Sequence, residues 1–140
     1  IIDEFSKKFN PNDVDVFVGI ESRGFIVACA LAQKYNKGMV LLRKAGKLPG
    51  KTEKISYTIE YGKATMEIHK DSIEKNDTVL LIDDLIATGG TAEAAAKLIE
   101  ISKGKVSGFI FVINLFDLNG CKNLLQKGYK VENIMEFPGH

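Results

Sequence analysis

Val79-Leu80-Leu81-Ile82-Asp83-Asp84-Leu85-Ile86-Ala87-Thr88-Gly89-Gly90-Thr91 is the stretch that decides how this 140-residue sequence folds. Its first four residues form a continuous apolar run, the pattern of a central strand covered on both faces. Leu85 to Gly90 are expected to leave the strand, and Thr91 to Ser102, rich in Ala, Leu, Glu and Lys, to form a helix. A strand that passes through a loop of small residues into a helix makes an anion site. Gly89 and Gly90 allow close backbone approach, the helix start offers unpaired N–H groups, and Thr88 and Thr91 add hydroxyls. Asp83 and Asp84 would repel a phosphate, but carboxylates are natural acceptors for vicinal sugar hydroxyls, so a sugar phosphate satisfies both halves. An ordinary strand-to-helix loop, with Thr91 as the helix cap, is the plainer alternative. The apolar strand and the Asp pair ahead of the loop favour the ligand site.

Outward from this stretch the chain alternates strand and helix patterns, which predicts a parallel sheet. Val14 to Ile20 reads as a strand, Gly19 to Gly24 as a turn, and Phe25 to Tyr35 as a helix; a second strand follows over Met39 to Arg43. Lys44 to Lys54, rich in Lys and Gly, has the composition of an exposed, mobile loop. Ser56 to Glu60 and Ala64 to His69 alternate around Tyr61-Gly62 as a hairpin would. Val106 to Leu115 and Asn133 to Phe137 are further strands, and Gly120 to Lys127 a short helix. Ile1, Phe5 and Phe9 share one face of an initial helix. One domain spanning residues 1–140 is expected, in the α/β class.

The charge balance of 19 Lys and Arg against 18 Asp and Glu lacks the basic excess that binding to nucleic acid requires. Apolar stretches such as Phe25 to Ala32 are too short to cross about 30 Å of hydrocarbon, so neither a membrane span nor an export signal is expected. Cys29 and Cys121 lie far apart, without metal-ligand spacing, and are expected to be reduced thiols in a cytoplasmic protein. Cys29 is expected to pack as a small hydrophobe within Ile-Val-Ala-Cys-Ala-Leu-Ala, residues 26–32. His69 and His140 read as surface residues. A P-loop is excluded because no Lys follows Gly90, and no GxGxxG follows any strand, so ATPase and dinucleotide readings drop out.

The stretch from Val79 to Thr91 resembles the signature of type I phosphoribosyltransferases, which bind 5-phosphoribosyl-1-pyrophosphate (PRPP); its Ala-Thr-Gly-Gly-Thr ending is similar to that of the adenine-specific members. Gly19-Ile20-Glu21-Ser22-Arg23-Gly24-Phe25 resembles the first loop of that family, which contacts pyrophosphate and in which the peptide matching Glu21-Ser22 is often cis. Leu42 to Gly50 (LRKAGKLPG) and Tyr57 to Gly62 (YTIEYG) resemble the two ends of its catalytic loop. The resemblance covers nearly the whole chain. It implies a mostly parallel central sheet flanked by helices, with a mobile catalytic loop or hairpin.

The same resemblance implies transfer of the phosphoribosyl group from PRPP to N9 of adenine, giving AMP and pyrophosphate, with Mg²⁺ held mainly by PRPP and the enzyme a homodimer. Loss of the anomeric bond leaves negative charge on the departing pyrophosphate, so cations are needed there. Arg23, Arg43 and Lys44 are the candidates, with Lys47 a further one; Lys51 and Lys54 read as surface charge. Glu60 is the candidate general acid or hydrogen-bond partner at the base, or else a polar strand residue; Tyr61 would close over the site. Phe25 is the candidate for stacking on adenine, or else a core residue. Ala87 joins Thr88, Gly89, Gly90 and Thr91 around the phosphate. Family members carry a hood over the base ahead of the position of Ile1, often with a Phe-Arg-Asp-Ile-like element. Nothing in this sequence matches it, so the chain is expected to be a piece of a longer protein. A non-catalytic PRPP sensor, or a transferase for another base such as xanthine, is the alternative; the two loop-end segments favour an enzyme.

Overall fold

A computed structural model describes residues 2–46, 48, 50–59 and 62–139. In chain order the elements are α1 (Ile2–Ser6), β1 (Val16–Ile20), α2 (Gly24–Tyr35), β2 (Gly38–Lys44), β3 (Thr52–Ile59), β4 (Gly62–His69), β5 (Thr78–Ile86), α3 (Gly90–Ile101), β6 (Lys105–Leu115), α4 (Gly120–Gln126) and β7 (Val131–Phe137). One seven-stranded sheet runs in the order β3-β4-β2-β1-β5-β6-β7. The five strands from β2 to β7 are parallel, and the β3-β4 hairpin joins β2 in the antiparallel sense.

Strand alternation divides the core between the two faces of this sheet. Phe17, Leu80, Ile82 and Ile110 pack with Phe5 of α1 and with Ala28, Leu31 and Ala32 of α2. Val18, Leu81, Phe109 and Phe111 pack with Ala95, Leu98 and Ile99 of α3 and Leu124 of α4. Val79 to Ile82 is buried throughout, as a strand covered on both sides must be.

The chain order reverses at the centre of the sheet. From β1 the chain steps outward to β2, whereas from β5 it steps the other way to β6, so the carboxyl ends of β1 and β5 flank a crevice where ligands of open α/β sheets bind. Gly19 sits in register with Ile82, which sets the loop after β1 beside Asp83 and Asp84. Gly24 lets α2 start hard against β5: a Cβ there would lie 2.5 Å from the Ile82 carbonyl oxygen and 3.2 Å from the Asp83 Cα.

Several expected boundaries differ, each for a physical reason. β5 continues to Ile86, so Asp83 and Asp84 lie within the strand, paired to β6 as far as Asn114. A carboxylate at a strand's end still has ladder partners, which an apolarity pattern does not register. β3 begins at Thr52, inside the stretch expected to be loop, because Thr52, Glu53 and Lys54 pair with His69, Ile68 and Glu67. The hairpin forms as expected, with Ile59 opposite Gly62. Cys29 is exposed rather than packed. The buried stripe of α2 is Gly24, Ala28, Leu31 and Ala32, at helical spacing, which turns Ile26 and Cys29 outward although the whole run is apolar.

Gly24→Ala should cost about 1–3 kcal/mol of unfolding free energy, because the new methyl meets rigid backbone. Gly38→Ala, where no atom lies within 4 Å, should stay within about 0.5 kcal/mol. Urea denaturation of the two variants checks the contrast, and equal effects would contradict the proposed contact.

Candidate active site

A cavity of about 420 Å³ opens at the crevice between β1 and β5. It is lined by Glu21, Ser22 and Arg23 from the loop after β1, Arg43 and Lys44 from the end of β2, Asp83 and Asp84 from β5, and Thr91 from α3. A recess of about 70 Å³ formed by Ile86 to Ala92 adjoins it in sequence. Residues 70 positions apart in the chain thus surround one space, because parallel strands deliver their carboxyl ends to the same edge.

The recess is formed by the loop that enters α3. Gly89 takes φ +91° at the cap of α3, a conformation that side chains disfavour, and no side chain caps the helix. Thr91 therefore is not the helix cap that the plainer sequence alternative required. The loop is braced from behind by α4: the Gly120 N–H donates to the Ala87 carbonyl at 3.0 Å, and a Cβ at Gly120 would collide with that oxygen. Gly120 is a site-shaping residue that sequence reasoning missed, since its partner lies some 30 residues away and only folding brings them together.

Two acids organise the cations. Arg43 donates from Nε and Nη2 to Glu21 Oε1 at 3.3 and 3.2 Å, and the Lys44 backbone N–H donates to Glu21 Oε2 at 2.7 Å. Glu21, whose side chain is 9% exposed, thus orients the end of β2. The Glu21-Ser22 peptide is cis. Across the cavity Arg23 Nε lies 2.8 Å from Asp84 Oδ2, with the arginine side chain 77% exposed. A pair this exposed contributes about 0–1 kcal/mol, so it holds the guanidinium near the cavity without locking it there.

Asp83 and Asp84 are adjacent, and Asp83 Oδ1 accepts the Asp84 backbone N–H at 2.8 Å. Burial pushes the Asp83 carboxyl up to about 8, aided by hydrogen bonding and charge repulsion from Asp84 and opposed by Arg23. Burial beside Asp84 thus favours the protonated form of this carboxylate pair.

Phe25 does not line the cavity; its half-buried ring instead lies 5.9 Å from the Arg43 guanidinium carbon. Lys47, Glu60 and Tyr61 lie outside the described residues. Ile20, Leu42, Tyr57, Met66 and Leu85 also line the space and were not singled out individually as site residues from the sequence. Tyr57 could have been found from the strand alternation of β3, which points it inward with Ile55. Lys54, read as surface charge, belongs to β3 and lies 3.9 Å from the buried Glu67.

The model of the phosphoribosyl transferase domain family matches residues 1–134, and the chain belongs to that family. The chain is 68% identical over 137 residues to the adenine phosphoribosyltransferase of Nitrosopumilus maritimus, covering 98% of itself and 79% of that protein. It superposes on the crystal structure of adenine phosphoribosyltransferase from Rhodothermus marinus with a TM-score of 0.92 at 44% identity, over 97% of this chain and 77% of that one. The Saccharomyces cerevisiae enzyme, solved with an imino-altritol bisphosphate and adenine, matches with a TM-score of 0.88 at 38% identity, over 95% and 76% of the two chains.

Asp83 binds its proton more tightly folded than unfolded, so its contribution to ligand-free stability is full below pH 3.8 and is lost as pH rises to about 8. Asp83→Asn keeps the acceptor for the Asp84 N–H and removes the titration. Its melting temperature should gain on that of the parent as pH rises through that window, and parallel curves from pH 4 to 9 would reject the assignment.

Proposed function

We propose that this chain transfers the 5-phosphoribosyl group of PRPP to N9 of adenine, releasing pyrophosphate and forming AMP, as a purine-salvage enzyme. The observation that carries the reading is the single cavity in which Asp83 and Asp84 face Arg23, Arg43 and Lys44, next in sequence to the recess of residues 86–92. A ligand with a diol between a phosphate and a pyrophosphate matches that order of groups.

In this reading the 5′-phosphate occupies the recess, taking N–H donors from Thr88 to Thr91 and the uncapped start of α3. Asp83 and Asp84 accept from the ribose hydroxyls. Arg43, already oriented by Glu21, and Lys44 face the departing pyrophosphate together with Arg23 and Lys47. These charges stabilise the leaving group most when the anomeric bond is nearly broken, which is where stabilisation accelerates reaction. Glu60 shares a proton with the base and Tyr61 closes the site. Phe25, whose ring lies beside the Arg43 guanidinium, is the group for stacking on adenine.

Among the described residues no cluster of three or more acid, His or Cys side chains is placed to hold a metal. The hard oxygens of Asp83 and Asp84 nonetheless suit a magnesium ion held mainly by PRPP oxygens. When bound, that ion neutralises pyrophosphate charge.

Residues 1–140 act here as one domain. The free thiols Cys29 and Cys121 suit a reducing cytoplasm. The homodimer follows from family relationship alone. No helix among the described residues is long and apolar enough to cross a membrane.

Turnover with PRPP and Mg²⁺ should be highest for adenine when adenine, hypoxanthine, guanine, xanthine and orotate are compared. PRPP binding without turnover of any base would favour the sensor instead. Glu60→Leu should lower kcat by about 10²–10⁴-fold with a smaller rise in KM for PRPP. Steady-state kinetics checks this, and unchanged kcat would return Glu60 to a plain strand role.

A further inference from the structure

Glu67 is 1% exposed, on the middle strand of the β3-β4-β2 group. Its neighbours Met66 and Ile68 point into the core shared with α3, so alternation sends the carboxylate to the opposite face. A carboxylate with no solvent must find donors, and this one takes them from the loop between β2 and β3. Its Oε1 accepts the Leu48 backbone N–H at 2.8 Å; its Oε2 lies 3.4 Å from Thr52 Oγ1 and 3.9 Å from Lys54 Nζ. The Gly46 N–H acts on it as well, and these donors together hold its carboxyl below the ordinary carboxylate range against the effect of burial. Gly46 and Leu48 lie where the chain leaves β2, and Thr52 lies where it enters β3.

Glu67 is also the cross-strand partner of Arg43 on one side and of Lys54 on the other. Arg43 and Lys44 line the cavity, and the loop that Glu67 gathers begins at the next residue, where the Ala45 N–H donates to the Thr65 carbonyl at 2.9 Å. Where the chain leaves Lys44 it is therefore held from behind by the Ala45–Thr65 hydrogen bond and by the buried Glu67 carboxylate.

We propose that Glu67 is a positioning residue for the pyrophosphate half of the site: its carboxylate holds Gly46, Leu48 and Thr52 against β4 and so fixes how Arg43 and Lys44 face PRPP. Glu67 itself touches no substrate. The inference rests on the transferase reading, and it separates the two ends of the ligand, since the phosphate recess belongs to β5 and α3 and does not depend on this loop.

The test compares Glu67→Leu, which removes both acceptors, with Glu67→Gln, which keeps a carbonyl oxygen for the Leu48 N–H. In Glu67→Leu, PRPP affinity by calorimetry and kcat/KM for PRPP should fall about 10–100-fold, the scale of lost hydrogen bonds to a charged group. AMP, which carries no pyrophosphate, should keep its affinity to within about threefold, and backbone hydrogen exchange at 46 and 48 should accelerate. Glu67→Gln should recover most of the PRPP affinity. Unchanged PRPP affinity in Glu67→Leu, equal losses for PRPP and AMP, or no rescue by Gln would each overturn the proposal. If Glu67→Leu does not fold, Glu67→Gln combined with Thr52→Val takes the same three readouts. If the parent chain binds PRPP but turns over no base, the transferase reading fails while PRPP affinity and hydrogen exchange still decide the role of Glu67.

Discussion

The parallel pairing of β1 with β5 is the constraint on which the remaining structure depends. It places two carboxyl strand ends side by side at the point where the chain order reverses, and Glu21, Arg23, Arg43, Lys44, Asp83 and Asp84 reach the cavity from one of those ends or from β2 next to them. Gly24 permits α2 to start against the β5 backbone without a side chain between them. Apolar burial on both faces of β5 holds the strand in place, and its last residues carry the charges out to the crevice.

Three acids in or near the site meet burial in three ways. Glu21 is paired with a guanidinium and a backbone N–H, and it orients the end of β2. Glu67 is held by loop donors, chiefly the Leu48 N–H, which lower its carboxyl from the ordinary value. Asp83, pushed up by burial and by the neighbouring Asp84, instead favours its protonated form. The same functional group thus meets three different surroundings, and its ionisation follows from which donors the fold places around it.

Much of the fold was legible in the chain. Val79 to Ile82 announces a central strand because a strand buried on both faces has no polar position to spare, and the hairpin and the helix after Gly90 follow from local periodicity. Less legible were features that depend on a partner distant in sequence. Cys29 turned out exposed because the orientation of α2 is chosen by Gly24 and Ala28 against the sheet, which an evenly apolar run does not encode. Gly120 behind the phosphate-type loop, and Glu67 beneath the loop after β2, carry no local signal at all.

The sequence by itself determined the alternation of strands and helices, the order of carboxylates, small residues and hydroxyls from Asp83 to Thr91, and the supply of cations at Arg23, Arg43 and Lys44. These are properties of contiguous residues, and local sterics and periodicity are enough to express them. Tertiary structure alone decided which acid meets which donor: Arg23 with Asp84, Arg43 with Glu21, and the Glu67 carboxylate with the Leu48 N–H. Those pairings depend on strand order and register, which bring together residues some 20 to 60 positions apart, and the ionisation of each acid follows from the surroundings that result.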